Sequence, residues 1–240
     1  MALYRDEGVV LRTVKLGEAD RIVTLLTRNH GRVRAVAKGV RRIKSRFGGR
    51  LEPFMRVDLL IAQGRSLDVI SQAESISTYA AGITNDYAVY SAANVVAETV
   101  NDVIGADHER ATAQYMLLIS VLHSLSRHAH RPEATGESYV MRSLALAGWT
   151  PRLDACVVCG RGNDLGFLSV RDGGAMCSSD RTPDAHRFGS ASRRQLKALI
   201  RGDWSVLDEA ELNADVRAFV EEWGEYYLER PIRSLRLLDS

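Results

Sequence analysis

The sequence predicts an α+β protein in which a small five-stranded β-barrel is followed by an all-helical domain. Two observations carry this prediction. Residues 8–74 contain short alternating apolar runs separated by turn residues, which is the pattern of β-strands. After residue 80 the apolar residues instead recur every three or four positions, the period of amphipathic helices. We therefore predict two domains, residues 1–79 and 80–240.

Five strands are predicted in the first domain: residues 8–16, 21–27, 32–38, 55–63 and 67–74. The turn sequences RNHG at 28–31 and QGRS at 63–66 predict hairpins between strands two and three and between strands four and five. Such strands suit a closed or partly closed barrel of the oligonucleotide-binding type, although an SH3-like barrel or a small sandwich fits the same pattern.

Helices are predicted over the rest of the chain from their apolar stripes. Three lie between residues 89 and 147, and the third ends at Gly148. Ser190 or Ser192 is predicted to cap a fourth helix that ends at Gly202, and the pattern Asp208-x-x-Glu211 to cap the last one.

A dense run of positive charge lies inside the predicted barrel. Residues 28–50 contain nine basic residues and no Asp or Glu, and alternation over residues 32–38 places the first basic side chains on one face of a strand. The candidate nucleic-acid contacts are Arg28, Arg32, Arg34, Lys38, Arg41, Arg42, Lys44, Arg46 and Arg50. A patch of this density favours polyanion binding, whereas protection of a sheet edge needs only a few charges.

The charge of the chain is unevenly distributed. Its formal net charge is only +2, but residues 1–79 hold fifteen Lys or Arg against eight Asp or Glu, and residues 80–240 hold seventeen against twenty-two. This asymmetry is expected if only the first domain docks on a polyanion. Aromatic residues near the patch are few, and Phe47 and Phe54 are the main candidates for stacking on bases.

The three cysteines have the spacing of a zinc ribbon. Cys156-x-x-Cys159 is followed, after seventeen residues, by Cys177-x-x-Asp180, and two such turns can point four ligands at one tetrahedral ion. We predict one structural Zn²⁺ per chain in a hairpin at residues 151–186, inserted in the helical domain. Asp180 has the spacing of the fourth ligand, and His186 competes with it.

Other interpretations of the cysteine segment stay open. The hairpin could instead hold three reduced cysteines without metal and be stabilised by packing of Phe167, Leu168 and Val170. Catalytic zinc is disfavoured because no His-Glu-x-x-His or His-x-Glu signature accompanies the cysteines.

Several classes of protein are disfavoured by what the sequence lacks. It has no apolar amino-terminal signal, no apolar run long enough for a bilayer and no phosphate-binding glycine motif. Three cysteines cannot form a disulfide framework. We expect a cytoplasmic protein without membrane insertion, associated with the nucleoid if its ligand is DNA.

Several motifs of this chain, in this order, resemble those of the RecO family of bacterial recombination mediators. They are YRDEGVVL at 4–11, GEADRIV at 17–23, GRVRAVAKGVRR at 31–42, RFGGRLEPF at 46–54 and the two cysteine turns. The resemblance covers the chain from end to end. It departs from the family at Asp180, where the family has a fourth cysteine.

The resemblance implies an oligonucleotide-binding barrel, a helical domain with an embedded zinc-binding hairpin, and a function without catalysis. Members of the family bind single-stranded and double-stranded DNA and anneal complementary strands coated with single-strand-binding protein. With RecR they help to load RecA in recombinational DNA repair. The alternatives from other classes are a zinc-dependent nuclease or hydrolase and a zinc-ribbon factor that binds RNA.

Overall fold

The structure, a computed structural model, describes residues 2–238. It divides into two compact units on either side of residue 129. The first unit contains the barrel strands and three helices, and the second contains the cysteine segment and the remaining helices. This division describes compactness and does not test the predicted domain boundary after residue 79, which stays a prediction.

All five predicted strands are present, which confirms an α+β protein with a five-stranded amino-terminal sheet. They are Leu3–Leu16 (β1), Asp20–Thr27 (β2), Gly31–Ala37 (β3), Met55–Ala62 (β4) and Asp68–Thr78 (β5).

The strands close into a barrel in the order β1-β2-β3-β5-β4. The predicted turns join β2 to β3 and β4 to β5 as antiparallel hairpins. A short parallel pairing of β3 with β5, at Ala35↔Asp68 and Val36↔Val69, completes the ring. Near the start of the same edge of β3, Arg32 forms an isolated bridge with Asp107.

Strand β1 begins five residues earlier than predicted because it pairs with two neighbours. Its first half pairs with β4, from Leu3↔Ala62 to Val9↔Arg56, and its second half pairs with β2. A register shift interrupts the β1–β2 pairing between Val10 and Arg12. Tertiary pairing therefore extends the strand beyond its alternating pattern.

The inward-facing residues of the strands form an apolar core. Val23, Leu25, Val33 and Leu59 are fully buried there, as alternation in β2, β3 and β4 requires. Val40, Phe47 and Leu51 lie outside the strands but belong to the same core, so the segment between β3 and β4 fills one part of the barrel.

Three helices complete the first unit: Ala80–Ile83 (α1), Tyr87–Val103 (α2) and Thr112–Ser126 (α3). Asp86 caps α2 by accepting a hydrogen bond from the Val89 N–H at 3.1 Å. The segment that joins α2 to α3 lies along the start of β3, where the His108 N–H donates to the Arg32 carbonyl at 2.9 Å. Gly31 has a φ of 62°, and a side chain there would collide with the Glu109 carbonyl.

The second unit contains four helices and a small sheet. The helices are Pro132–Leu146 (α4), Ser190–Arg201 (α5), Trp204–Leu207 (α6) and Ala214–Leu228 (α7), followed by a 3₁₀ helix at Arg233–Leu237. Strands Phe167–Ser169 (β6), Gly174–Met176 (β7) and His186–Arg187 (β8) form a sheet in the order β7-β6-β8. A hairpin thus lies between the two cysteine turns, as predicted.

The predicted helix caps in this unit are partly wrong. Helix α5 ends at Gly202, which has the left-handed conformation expected, but Gly189 precedes its first residue and no side chain caps it. The last helix begins after Asn213, so Asp208 and Glu211 form no capping box there. Instead, the Asp208 carboxylate lies 2.8 Å from the His130 ring nitrogen, and this tertiary contact outweighs the local capping preference.

No helix within residues 2–238 is both long and apolar enough to cross a lipid bilayer.

Candidate functional site

Strand β3 separates its basic side chains from its apolar ones. Val33, Ala35 and Ala37 are fully buried in the barrel, while Arg34 is exposed on the opposite face. This confirms the predicted alternation, which follows from the two-residue period of a strand. Lys38 directly follows the strand and is also exposed.

The segment between β3 and β4, residues 38–54, is called the basic loop below. Val40, Phe47 and Leu51 anchor it in the barrel core, with 9%, 1% and 1% of their surface exposed. Phe54 is also buried, at 2%. Neither phenylalanine ring can reach a ligand, so the prediction that Phe47 and Phe54 stack on bases is wrong. Both rings are buried and stabilise the fold instead.

The start of the basic loop is attached to the turn between β1 and β2. The Gly39 N–H donates to the Asp20 carboxylate at 2.7 Å, and the Arg41 N–H donates to the Ala19 carbonyl at 3.0 Å. The Arg41 guanidinium also donates to the carbonyls of Gly17 and Glu18, at 3.3 and 2.9 Å. These bonds fix where the loop leaves the barrel.

Two of the nine predicted contacts are held by carboxylates of the first unit. Arg28 lies 3.1 Å from Glu7, which also pairs with Arg56 at 2.9 Å. The Arg32 guanidinium lies 2.5 Å from Asp107 and donates to two carbonyls at the end of α2, those of Asn101 and Ile104. Only 17% of the Arg32 side chain is exposed. Arg32 therefore caps a helix carboxyl end, a structural use of its charge.

The other seven cations are exposed and have no carboxylate within ion-pair distance among residues 2–238. Arg41 and Arg50 donate to backbone carbonyls, and the Arg46 guanidinium lies 4.8 Å from the centre of the Phe47 ring. These neutral partners orient the side chains without cancelling their charge. The seven are Arg34, Lys38, Arg41, Arg42, Lys44, Arg46 and Arg50.

The second candidate site is a cluster of three thiols and one carboxylate in the second unit. The ligand atoms of Cys156, Cys159, Cys177 and Asp180 all lie within 4.8 Å of one another. All three cysteines are free thiols. His186, the alternative fourth ligand, lies outside this cluster on exposed strand β8, 3.8 Å from Glu222.

Two tight turns bring these donors together. In the first, the Gly160 N–H donates to the Cys156 carbonyl at 2.9 Å, and the Cys156 N–H donates to the Arg161 carbonyl at 2.8 Å. Gly160 has a φ of 76°, which suits glycine. In the second, the Asp180 N–H donates to the Cys177 carbonyl at 3.3 Å.

The distances fit a tetrahedral ion. Thiolate sulfurs bound to one zinc at about 2.3 Å stand roughly 3.8 Å apart. The sulfurs of Cys159 and Cys177 are 3.9 Å apart, and the Cys177 sulfur is 3.1 Å from the Asp180 carboxylate. The donor set is thus compatible with a metal site.

Hydrogen bonds shift the pKa values in the cluster in different directions. Burial raises the pKa of the Cys156 thiol, but backbone N–H groups of Cys159, Cys177 and Val158 outweigh it and lower the value overall. The hydrogen bond to Asp180 raises the pKa of Cys159 to about 11. The thiols of Cys159 and Cys177 lower the pKa of the Asp180 carboxyl. The cluster therefore makes deprotonation easier at Cys156 and Asp180 and harder at Cys159.

A second carboxylate, Asp164, follows the first turn and contacts the second, and no sequence pattern predicted this contact. Asp164 accepts hydrogen bonds from both the hydroxyl and the backbone N–H of Ser178, the residue after Cys177. These bonds lower the pKa of the Asp164 carboxyl. No spacing rule signals this contact, because a single Asp in a Gly-rich stretch has many structural uses.

Comparison with known proteins places the chain in a family. The family description "Recombination protein O N terminal" matches residues 1–79, and "Recombination protein O C terminal" matches residues 84–236. The chain belongs to the RecO family. Together the two RecO descriptions cover both the barrel and the cysteine segment, which confirms the resemblance noted in the sequence.

Curated relatives support the RecO assignment over the whole chain. The "DNA repair protein RecO" of Bifidobacterium longum subsp. infantis is 64% identical, with 100% of each chain covered. The proteins of that name from Streptomyces coelicolor and from a Nocardioides species are each 43% identical, covering 100% and 99% of both chains.

Proposed function

We propose that this chain is a non-enzymatic DNA-binding mediator of recombinational repair. The observation that carries the proposal is the group of seven exposed cations on β3 and the basic loop, none of which has a carboxylate partner among the described residues. Such a group attracts the phosphate backbone of DNA and releases its condensed counterions. Contacts of this kind are largely blind to sequence.

The barrel supports this proposal. A closed five-stranded barrel with a parallel β3–β5 pairing has the architecture expected of the oligonucleotide-binding type. Such barrels bind nucleic acid on the face of strands two and three, and here Arg34 lies on β3. We assign the barrel to this class and its outer β3 face to DNA.

We further propose the mediator activities implied by the family. Two DNA strands repel each other, and cations bound to both backbones lower this repulsion, which favours annealing of complementary strands. The substrate would be strands coated with single-strand-binding protein, and RecR would act with this chain to load RecA. No nucleotide hydrolysis is needed for these steps.

For the cysteine cluster, we propose one structural Zn²⁺ held by Cys156, Cys159, Cys177 and Asp180. The ion would supply the cross-link between the two turns of the hairpin. Four protein donors leave no open position for a reactive water, which favours a structural over a catalytic site. Elemental analysis of gently purified protein should therefore find about one zinc per chain.

The DNA-binding proposal is tested with a matched pair of variants. In the first, Arg34, Lys38, Arg42 and Lys44 are replaced by Ala. In the control, four exposed arginines of the second unit are replaced, which changes the net charge equally; they are Arg152, Arg171, Arg187 and Arg236.

Affinity for single-stranded oligonucleotides of unrelated sequence is then measured over a range of salt concentrations. The first variant should lose affinity for all sequences equally, and its slope of log affinity against log salt should flatten by about 3. The control should keep the slope of the unchanged chain. Equal slopes in all three proteins would overturn the proposal, and metal-dependent cleavage of the DNA would favour a nuclease.

A further inference from the structure

We infer that Ile43, an exposed residue of the basic loop, is an apolar wedge that contacts the bases of DNA. The inference rests on the proposed function. It adds a residue that contacts bases to the residues proposed to contact phosphates. Ile43 is 105% exposed, and the next most exposed large apolar side chain in the described part of the chain, Val158, is 63% exposed.

The fold of the loop gives no use for this side chain. Its apolar anchors are Val40, Phe47 and Leu51, all within the barrel core. Ile43 lies in the second of two consecutive turns, which are closed by Arg42 N–H to the Gly39 carbonyl and by Ser45 N–H to the Arg42 carbonyl. Its side chain is fully exposed, unlike these anchors. A β-branched residue has no advantage in such a turn, where Gly, Asn, Asp and Pro are favoured.

The neighbours of Ile43 identify the ligand chemistry. Arg42 and Lys44 flank it directly, both exposed and without a carboxylate partner among residues 2–238, and Arg41 and Arg46 lie within three positions. A ligand that meets all of these groups combines negative charge with an apolar surface. Nucleic acid has this combination, because each phosphate is attached to a base with two apolar faces.

The buried aromatic rings strengthen the inference. Phe47 and Phe54 are 1% and 2% exposed, so neither can stack on a base. Ile43 is then the large apolar side chain that the loop presents to its ligand. Isoleucine is among the residues that DNA-binding proteins insert between neighbouring bases, partly unstacking them. Bases unstacked in this way are open to pairing with a second strand.

The experiment uses the full chain, Ile43→Ala, and Ile76→Ala as a matched control at another exposed isoleucine of the first unit, 42% exposed. Two probes separate bases from charge: a single-stranded oligonucleotide that carries 2-aminopurine, and inorganic polyphosphate of equal charge. The 2-aminopurine fluorescence rises when the base unstacks. Affinities are measured at several salt concentrations.

Ile43→Ala should bind the oligonucleotide about fivefold more weakly, with an unchanged salt slope, since apolar contact is lost and phosphate contact is kept. Its 2-aminopurine signal should fall by at least half, and Ile43→Phe should restore both quantities. Binding of polyphosphate should be the same for all variants, and Ile76→Ala should match the unchanged chain.

An oligonucleotide affinity for Ile43→Ala equal to that of the unchanged chain would overturn the inference. So would an equal loss on DNA and polyphosphate, because a side chain that contacts bases has no role on a ligand without them. The proposed function would survive either result if the unchanged chain binds DNA with a steep salt slope. If the unchanged chain does not bind DNA, both fail.

Discussion

The basic loop has no helix or strand before β4, and the cysteine segment, residues 151–186, contains only short strands. The two segments are stabilised in different ways. Val40, Phe47 and Leu51 fix the basic loop from within the barrel core. The two cysteine turns bring four potential metal ligands within 4.8 Å of one another. A hydrogen bond from Ser178 to Asp164 also holds the second turn. The basic loop is thus ordered by apolar burial in the barrel, whereas the cysteine segment presents a donor set compatible with a metal ion.

Removal of the proposed Zn²⁺ should give the largest difference between the two segments. Structural zinc in small modules contributes about 10–16 kcal/mol of apparent binding free energy, so chelation should unfold the hairpin between α4 and α5. Hydrogen exchange should show lost protection in residues 156–187 and unchanged protection in the barrel and basic loop. Cys156→Ser should reproduce this result without chelator. A hairpin that stays protected would instead favour stabilisation by the packing of Leu168 and Val170.

Truncation of the loop anchor should have the opposite pattern. Phe47→Ala removes a fully buried ring from the barrel core and should lower the free energy of unfolding by about 3–5 kcal/mol. Urea denaturation measures this loss, and the metal content should not change. Ile43→Ala, in the same loop, is the control and should leave stability unchanged. Equal stability of both variants would show that the loop does not need its anchor.

Arg32 and Arg34 lie on the same strand, but Arg32 is paired with Asp107 whereas Arg34 is exposed. Arg32→Met removes charged hydrogen bonds to Asp107 and to the end of α2, and should destabilise the chain by about 1.5–3 kcal/mol. Arg34→Met should leave stability within about 0.5 kcal/mol and reduce the salt slope of DNA binding by about 0.7. Thermal melting and salt titration of both variants measure these effects. Interchanged results would place the DNA contact at Arg32.

The smallest effect is expected at Tyr4, which donates a 2.5 Å hydrogen bond to the buried Asp68 carboxylate. Burial and this bond raise the pKa of the Tyr4 hydroxyl well above its usual range. A raised pKa in the folded state gives stability that is present below the ordinary tyrosine value and is lost as pH rises past it. Tyr4→Phe should cost about 1.5 kcal/mol near pH 7, and the difference should shrink above pH of about 10. A difference in urea midpoint between the two proteins that stays constant from pH 7 to above about pH 10 would contradict this.

The sequence predicted most of the fold because its signals are local. Alternation, turn residues and helical periodicity depend on neighbours a few positions apart, and they gave all five barrel strands and the helices α2, α3 and α4. The predictions that failed depend on tertiary contacts. Strand β1 begins early because it pairs with β4, and the predicted caps near Ser190 and Asp208 fail because these segments make contacts within the second unit.

The candidate sites were also predicted only where their residues follow a local spacing. Cys156 and Asp180 were predicted together from a fixed spacing, and the structure brings them together. The use of each cation was beyond the sequence, since Arg32 and Arg34 look equivalent until Asp107, distant in the chain, pairs with one of them. The burial of Phe47 could not be predicted either, because a phenylalanine among arginines can equally well stack on a ligand or pack in a core.

The hydrogen bonds of Arg41 have a consequence for the entropy of binding. Its guanidinium is held by the carbonyl oxygens of Gly17 and Glu18, which are neutral and leave its charge available. A long side chain that is already immobilised has less rotational freedom to lose when an anion arrives. A lysine at position 41 would carry the same charge, but it lacks the planar fork of donors, so its ligand would have to restrict that motion itself.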